Sequence, residues 1–342
     1  MSFSHGMAAL NLEMPSKVPR TEYSAQTHWP LVKAVTGIAD HSWEAQKAFM
    51  KAWDYSLNWS ILISGNEFGE NRTKMGHAVY ADGGVDFDAE ISSLFTDPEE
   101  VYAFDFDRHL GIPDMGNITQ RFNAHYSGAC SEVPDTVNMT GIYVTCMSGL
   151  IDLLGWDMLL VAAADHAAFG DFTARYVKWI TPYFEALGKC EAPVVMIHDD
   201  IVLTSGPFLH PDWYRKYLFP LYKKLFKHLE AKKLLYTCDG DFTMFIDDIA
   251  DCGVNGFVME PATDMQYIAD KYGKTHAFVG NADTRILLSG TKDDIYNEVK
   301  RCMDIGKNCP GFFMAVGNHI PANTPVDNAL YYNEAYEKLS AR

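Results

Sequence analysis

The chain of 342 residues is 48% hydrophobic and 21% charged, a globular composition with enough apolar material for a large core. Its formal net charge of −17 opposes binding to nucleic acid or an anionic membrane and disfavours a heavily anionic substrate. No apolar run reaches the roughly 18 residues needed to span a bilayer, and the longest, GWDMLLVAAAD, is broken by Asp157.

The N-terminal run MSFSHGMAALNLEMP has no basic segment followed by an apolar one. It does not read as a signal peptide, and a cytoplasmic location is expected. Seven cysteines, an odd number with no CxxC pair, point to reduced and mostly buried thiols.

In the first half, SLNWSILISG (56–65), HAVYAD (77–82) and TVNMTGIYVTC (136–146) are candidate strands. Helical patterns surround them, the longest from Met147 to Leu187. The second half is clearer. VVMIHDD (194–200) is an apolar, β-rich run that ends in acids. Pro211 then opens a helix on which Trp213, Tyr217, Leu221, Leu225 and Leu229 recur every four residues. KLLYTCDGD is a strand and turn, and Phe242–Asp251 a helix. VNGFVMEP (254–261) is a strand before a helix at Met265–Tyr272. THAFVGNAD (275–283) precedes a helix over Thr291–Met303 that opens with a Thr–x–x–Asp capping pattern. GFFMAVGNHIP (311–321) and a helix at Val326–Leu339 complete the series.

Strand–helix alternation implies a parallel sheet, and nearly continuous apolar strands imply burial of both faces. Eight strands predict an α/β fold, a (β/α)8 TIM barrel, with residues 1–55 as an N-terminal helical extension of a single domain over 1–342. A doubly wound open sheet is the alternative. No GxGxxG follows a strand, which weakens a dinucleotide-binding reading.

In barrels, function collects at the C-terminal ends of strands. Those ends here read His198-Asp199-Asp200, Cys238-Asp239-Gly240-Asp241, Glu260-Pro261, Asn281-Ala282-Asp283 and Asn318-His319. Turn chemistry also enriches such residues, but five consecutive strands ending in ligand-type or acid–base groups suggest one site. Aromatic residues make up 13% of the chain, and Tyr23, Trp29, Tyr80 and Tyr143 lie in segments that can face a barrel mouth.

The segments EMPSKVPRTEYS, YTCDGD, VMEPATDMQYIADKYG, FVGNAD and GNHIPANTPVDNA resemble the uroporphyrinogen decarboxylase superfamily, in order and spacing, over most of the chain. That resemblance also implies a (β/α)8 barrel. The superfamily contains true decarboxylases and cobalamin-linked methyltransferases. The decarboxylase branch grips its substrate with an arginine-rich segment near the N-terminus, where this chain has a lone Arg20. The zinc methyltransferases carry HxCG at the end of the fifth strand. Alignment on Gly240 puts Thr237 and Asp239 at the histidine and cysteine positions; a shift by one puts Tyr236 and Cys238 there.

The style of VPRTEYS, YTCDGD and GNHIP is most similar to the methyltransferases of O-demethylation. The resemblance therefore implies transfer of a methyl group from a methoxylated aromatic compound to the cobalt(I) of a corrinoid carried by a partner protein. Zn2+ would activate the ether oxygen. The implied metal set is Cys238, Asp239, Glu260 and His319, with Asp199, Asp239 and His319 as catalytic groups. Tyr23, Tyr80, Tyr143, His198 and Asn318 would meet substrate. No DxHxxG motif is present, so the corrinoid arrives on another chain. A homodimer fits these expectations. Rival readings are a metal-independent decarboxylase or lyase on the same scaffold and a non-enzymatic tetrapyrrole binder.

Overall fold

A computed structural model describes the backbone of residues 2–75, 78–81, 84–87 and 91–342, and the side chains of 2–73 and 92–342. The labelled strands are β1 (Leu57–Asn58), β2 (Val137–Asn138), β3 (Thr140–Ile142), β4 (Val194–His198), β5 (Lys233–Cys238), β6 (Gly256–Met259), β7 (Ala277–Ala282) and β8 (Phe312–Val316). Strands β3 to β8 form one parallel sheet in chain order.

The sheet closes on itself through shorter pairings. β1 runs parallel to β2, and Ile63 bridges Ile142. Arg20 bridges both Tyr55 and Met314 in parallel register. The Thr21 N–H donates to the Met314 carbonyl, and the Ser56 N–H to the Arg20 carbonyl. The ring therefore has eight staves: the stretch around Arg20, β1, β2 with β3, and β4 to β8. This is the TIM barrel expected from the strand–helix alternation.

Two expectations about the staves are corrected. The HAVYAD run supplies no stave. Its described part, Ala78–Ala81, pairs antiparallel with Gly84–Phe87, and the rest lies outside the described residues. The first stave comes instead from within residues 1–55, expected to form a helical extension outside the barrel. That segment does contain helices at Phe3–Leu10, Trp29–Thr36 and Trp43–Ala52. The long helical pattern after Met147 is three helices, Met147–Leu154, Trp156–Ala162 and His166–Lys189. Gly155, at φ +73°, breaks the first from the second, a conformation that suits a residue without a Cβ.

Alternate residues on each strand face opposite layers. The barrel interior holds Leu57, Val137, Met139, Val194, Met196, Leu235, Val258, Val279, Phe313 and Ala315. Ala9 and Leu10 of the first helix join this cluster, so that helix plugs the bottom, at the N-terminal ends of the strands. The other parity, including Ile197, Tyr236, Cys238, Phe257, Phe278 and Met314, packs into the layer beneath the outer helices.

Arg20 closes the ring without reaching the site. Its Nε and Nη2 both donate to Glu22 Oε1 at 3.1 Å, and both side chains are fully buried. Its guanidinium lies over Trp53, Tyr332 and Tyr336, at 4.2, 5.1 and 4.7 Å from their ring centroids. The second oxygen of Glu22 accepts from the Val316 N–H at 3.1 Å. No helix among the described residues is long and apolar enough to cross a membrane.

Candidate active site

Parity decides which strand-end residues meet. Counting by twos from the interior residues, β4 runs Val194, Met196, His198, and β5 runs Leu235, Thr237, Asp239. His198, Thr237 and Asp239 thus face the upper barrel. There they line a cavity of about 160 Å³ with Tyr23, Trp59, Tyr143, Asn318 and His319 among its other walls.

At one side of this cavity, ligand atoms of His198, Asp200 and Asp239 all lie within 4.8 Å of one another. His198 Nε2 is 3.3 Å from Asp200 Oδ1. The same Asp200 oxygen accepts the Asp239 N–H at 2.9 Å. Ser148 Oγ lies 3.3 Å from His198 Nδ1 and accepts the Asp200 N–H at 2.8 Å, which ties both residues to the helix Met147–Leu154. The Tyr143 ring stacks on His198 at a centroid distance of 4.0 Å and 7° between planes.

The electrostatics suit a cation. Burial, and then the neighbouring charge of Asp200, push the Asp239 carboxyl up to about 7. Two carboxylates this close oppose each other's ionisation unless a positive charge joins them. Burial lowers the pKa of His198 despite the surrounding acids, so it is held as the neutral imidazole that a metal requires. One nitrogen and two carboxylates are within zinc's ligand repertoire, and three protein ligands leave a position for substrate. The donor set therefore fits the ion.

Glu260 stands beside this cluster. Its Oε2 accepts the Gly240 N–H at 2.8 Å, and its Oε1 accepts from the Asn318 amide. The same Asn318 amide is 3.5 Å from Asp239 Oδ2. Glu260 thus braces Asp239 through Asn318 and the turn. Gly240 sits in that turn at φ +82°, and a Cβ would meet the Leu203 carbonyl at 2.6 Å, so only glycine fits. His319 lines the cavity; burial and then the charge of His198 lower its pKa.

Parity bears on two of the expected site residues. Cys238 borders the cavity but packs with the outer layer, and its thiol donates to the Asp239 carbonyl at 3.2 Å, apart from the close cluster of His198, Asp200 and Asp239. Burial, and then Asp200, raise its pKa well above the usual thiol value. Asp199 also faces outward and is fully buried. It accepts the Cys146 and Ser148 N–H groups at 3.0 and 2.7 Å and the Tyr222 hydroxyl, and so anchors the helix Met147–Leu154. Its role is structural.

Of the expected metal set, only Asp239 belongs to the close cluster; Glu260 is one partner removed, and His319 borders the same cavity. Of the expected substrate residues, Tyr23, Tyr143, His198 and Asn318 line it. The Tyr80 side chain lies outside the described residues. Asp200 is visible in the sequence but not singled out as a ligand, Thr237 enters only as the residue aligned with the family's histidine, and Trp59 is not singled out. Only their common parity with the barrel interior marks them, and with both faces apolar that signal is ambiguous in sequence.

Comparison with known proteins gives two kinds of likeness. A methyltransferase from Methanosarcina mazei shares the fold, with a TM-score of 0.66 and 17% identity over 99% of both chains. The uroporphyrinogen decarboxylase of Geobacter sulfurreducens is 28% identical over 162 residues, 47% of this chain and 46% of that protein. The methylcobamide:CoM methyltransferase MtbA of Methanosarcina acetivorans is 29% identical over 140 residues, 40% of this chain and 38% of that protein. The chain thus spans about half the length, or less, of these curated relatives. The family model for uroporphyrinogen decarboxylase (URO-D) matches residues 129–339, well over half of the chain, and the chain belongs to that family.

Proposed function

We propose that this protein is a corrinoid-dependent methyltransferase that moves a methyl group from an aryl methyl ether to the cobalt(I) of a corrinoid carried by a partner protein. One observation carries the reading: an aromatic-walled cavity of about 160 Å³ that borders on His198, Asp200 and Asp239. A cavity of roughly 150 Å³ is known to hold a benzene ring, whereas a tetrapyrrole is several times larger. Among the described residues, no lysine or arginine lines it, so nothing there would pair with the carboxylates of a polyanionic substrate. The buried pairing of Arg20 with Glu22 removes the one N-terminal arginine from such a role. The likeness to MtbA, alongside a similar likeness to decarboxylases, is consistent with the methyltransferase branch.

The residues divide the work as follows. His198, Asp200 and Asp239 would hold Zn2+, which supplies Lewis acidity toward the ether oxygen. Tyr143, stacked on His198, and Trp59, edge-on to Tyr23 at 4.9 Å, offer faces for an aromatic ring. Asn318 and Glu260 keep Asp239 in place. In the reaction the ether C–O bond breaks, the methyl carbon joins cobalt, and the phenolate leaves. His319, on the cavity wall, can hydrogen-bond that oxygen.

The test is direct. Purified protein should contain one zinc per chain, and with a reduced corrinoid protein and a methoxylated phenol it should convert cobalt(I) to methyl-cobalt(III). His319→Ala and Glu260→Ala should slow this transfer while circular dichroism stays unchanged. Release of carbon dioxide from an aromatic acid with no methyl transfer would overturn the reading in favour of a decarboxylase.

A further inference from the structure

Two side-chain hydroxyls of cavity-lining residues are not used by the mechanism above. The Tyr23 hydroxyl and Thr237 Oγ1 are both buried, and neither has a hydrogen-bond partner among the described residues. Both residues line the same cavity as His198 and Asp239. Each is held rigidly. Thr237 sits in the β5 ladder, its carbonyl accepting the Asp199 N–H at 2.9 Å, and Tyr23 follows Glu22, which is fastened to Val316 and Tyr332. The Tyr23 ring is fixed edge-on against Trp59, with 84° between the planes.

Buried hydroxyls are nearly always hydrogen-bonded, because leaving one unpaired forfeits its hydration without return. Here two belong to residues that line one small cavity of mixed polar and aromatic walls. Either can donate, and a single oxygen has lone pairs for both. We propose that Tyr23 and Thr237 form an oxygen-recognising subsite, which selects aromatic ethers that also carry a free ring hydroxyl over ethers that lack one. The inference deepens the proposed function and rests on it for the substrate class. It assigns these two residues to specificity rather than to the transfer step.

The experiment is calorimetric binding, which needs no corrinoid partner. Methoxybenzene and the three methoxyphenol isomers are titrated into the wild-type protein, Tyr23→Phe and Thr237→Val. Both substitutions remove a hydroxyl and keep the shape. The tightest methoxyphenol should bind the wild type about 10-fold more tightly than methoxybenzene, the cost of leaving a buried donor unpaired. Each variant should lose most of that ratio while its affinity for methoxybenzene stays within about twofold. Equal wild-type affinity for phenols and methoxybenzene, or a ratio unchanged in both variants, would overturn the subsite alone. Failure of all four compounds to bind the wild type would overturn the aromatic-ether reading and this inference with it.

Discussion

Replacing Arg20 with methionine tests how the barrel is closed. The guanidinium is fully buried and makes two 3.1 Å hydrogen bonds to Glu22 and one to Asn333. Methionine keeps much of the apolar stem against Trp53, Tyr332 and Tyr336 but removes the charge. Glu22 is then left with the Val316 N–H at 3.1 Å and the Tyr332 hydroxyl at 2.9 Å. Breaking a buried pair from one side costs about 3–5 kcal/mol, because the remaining charge is uncompensated. The double variant Arg20→Met with Glu22→Gln removes both charges and should recover at least about 1 kcal/mol of that loss.

The pH dependence has a defined sign. Burial already raises the Glu22 pKa, and the lowering influence of Arg20 is absent from the variant. A carboxyl whose folded pKa lies above its unfolded value stabilises the fold at low pH and loses that contribution as pH rises. The penalty of the single variant should therefore shrink on acidification from pH 7. Urea unfolding followed by tryptophan fluorescence gives the comparison through midpoint and slope. A single variant that loses less than about 1 kcal/mol, or a double variant as unstable as the single, would refute the reasoning. A specific loss of substrate binding with stability intact would return Arg20 to the active site.

Asp239→Asn and Asp200→Asn should weaken zinc binding by more than the roughly 10–100-fold typical of lost outer partners, whereas Cys238→Ala should leave it unchanged; competitive chelator titration reads both. Zinc affinity should fall about tenfold per pH unit below about 7, as Asp239 takes up its proton, and flatten above it. Without metal, the same raised carboxyl should make the protein less stable as pH rises from about 4 toward about 7, and added zinc should abolish that slope in thermal melts. Tyr222→Phe leaves Asp199 short of one donor and should cost about 1–3 kcal/mol in urea melts without changing zinc affinity. Gly240→Ala should impair zinc binding, since its Cβ displaces the turn that carries Asp239 from the Leu203 carbonyl.

The sequence by itself determined the barrel's second half. There each strand is a short apolar run, most helices follow their apolar period (the one opening at Pro211 passes through a π-helical turn at Tyr214–Leu218), and Thr291 with Asp294 marks a helix start that the structure closes as a capping box. These are local signals, and local physics settles them. The helices Met265–Tyr272 and Val326–Leu339 fall where their patterns put them. The first stave was beyond such reading, because Arg20 joins the barrel by isolated bridges to Tyr55 and Met314, and their partners lie 35 and 294 residues away. The proposed ligand set likewise depends on tertiary structure. His198, Asp199 and Asp200 are adjacent in sequence, as are Cys238 and Asp239, and both faces of these strands are apolar. Composition therefore could not say which residue of each pair turns inward. Closure of the barrel decided it: His198 and Asp239 share the parity of Met196 and Leu235 and enter the cavity, Asp199 is turned away from it, and Cys238 packs with the layer beneath the helices while still bordering the cavity.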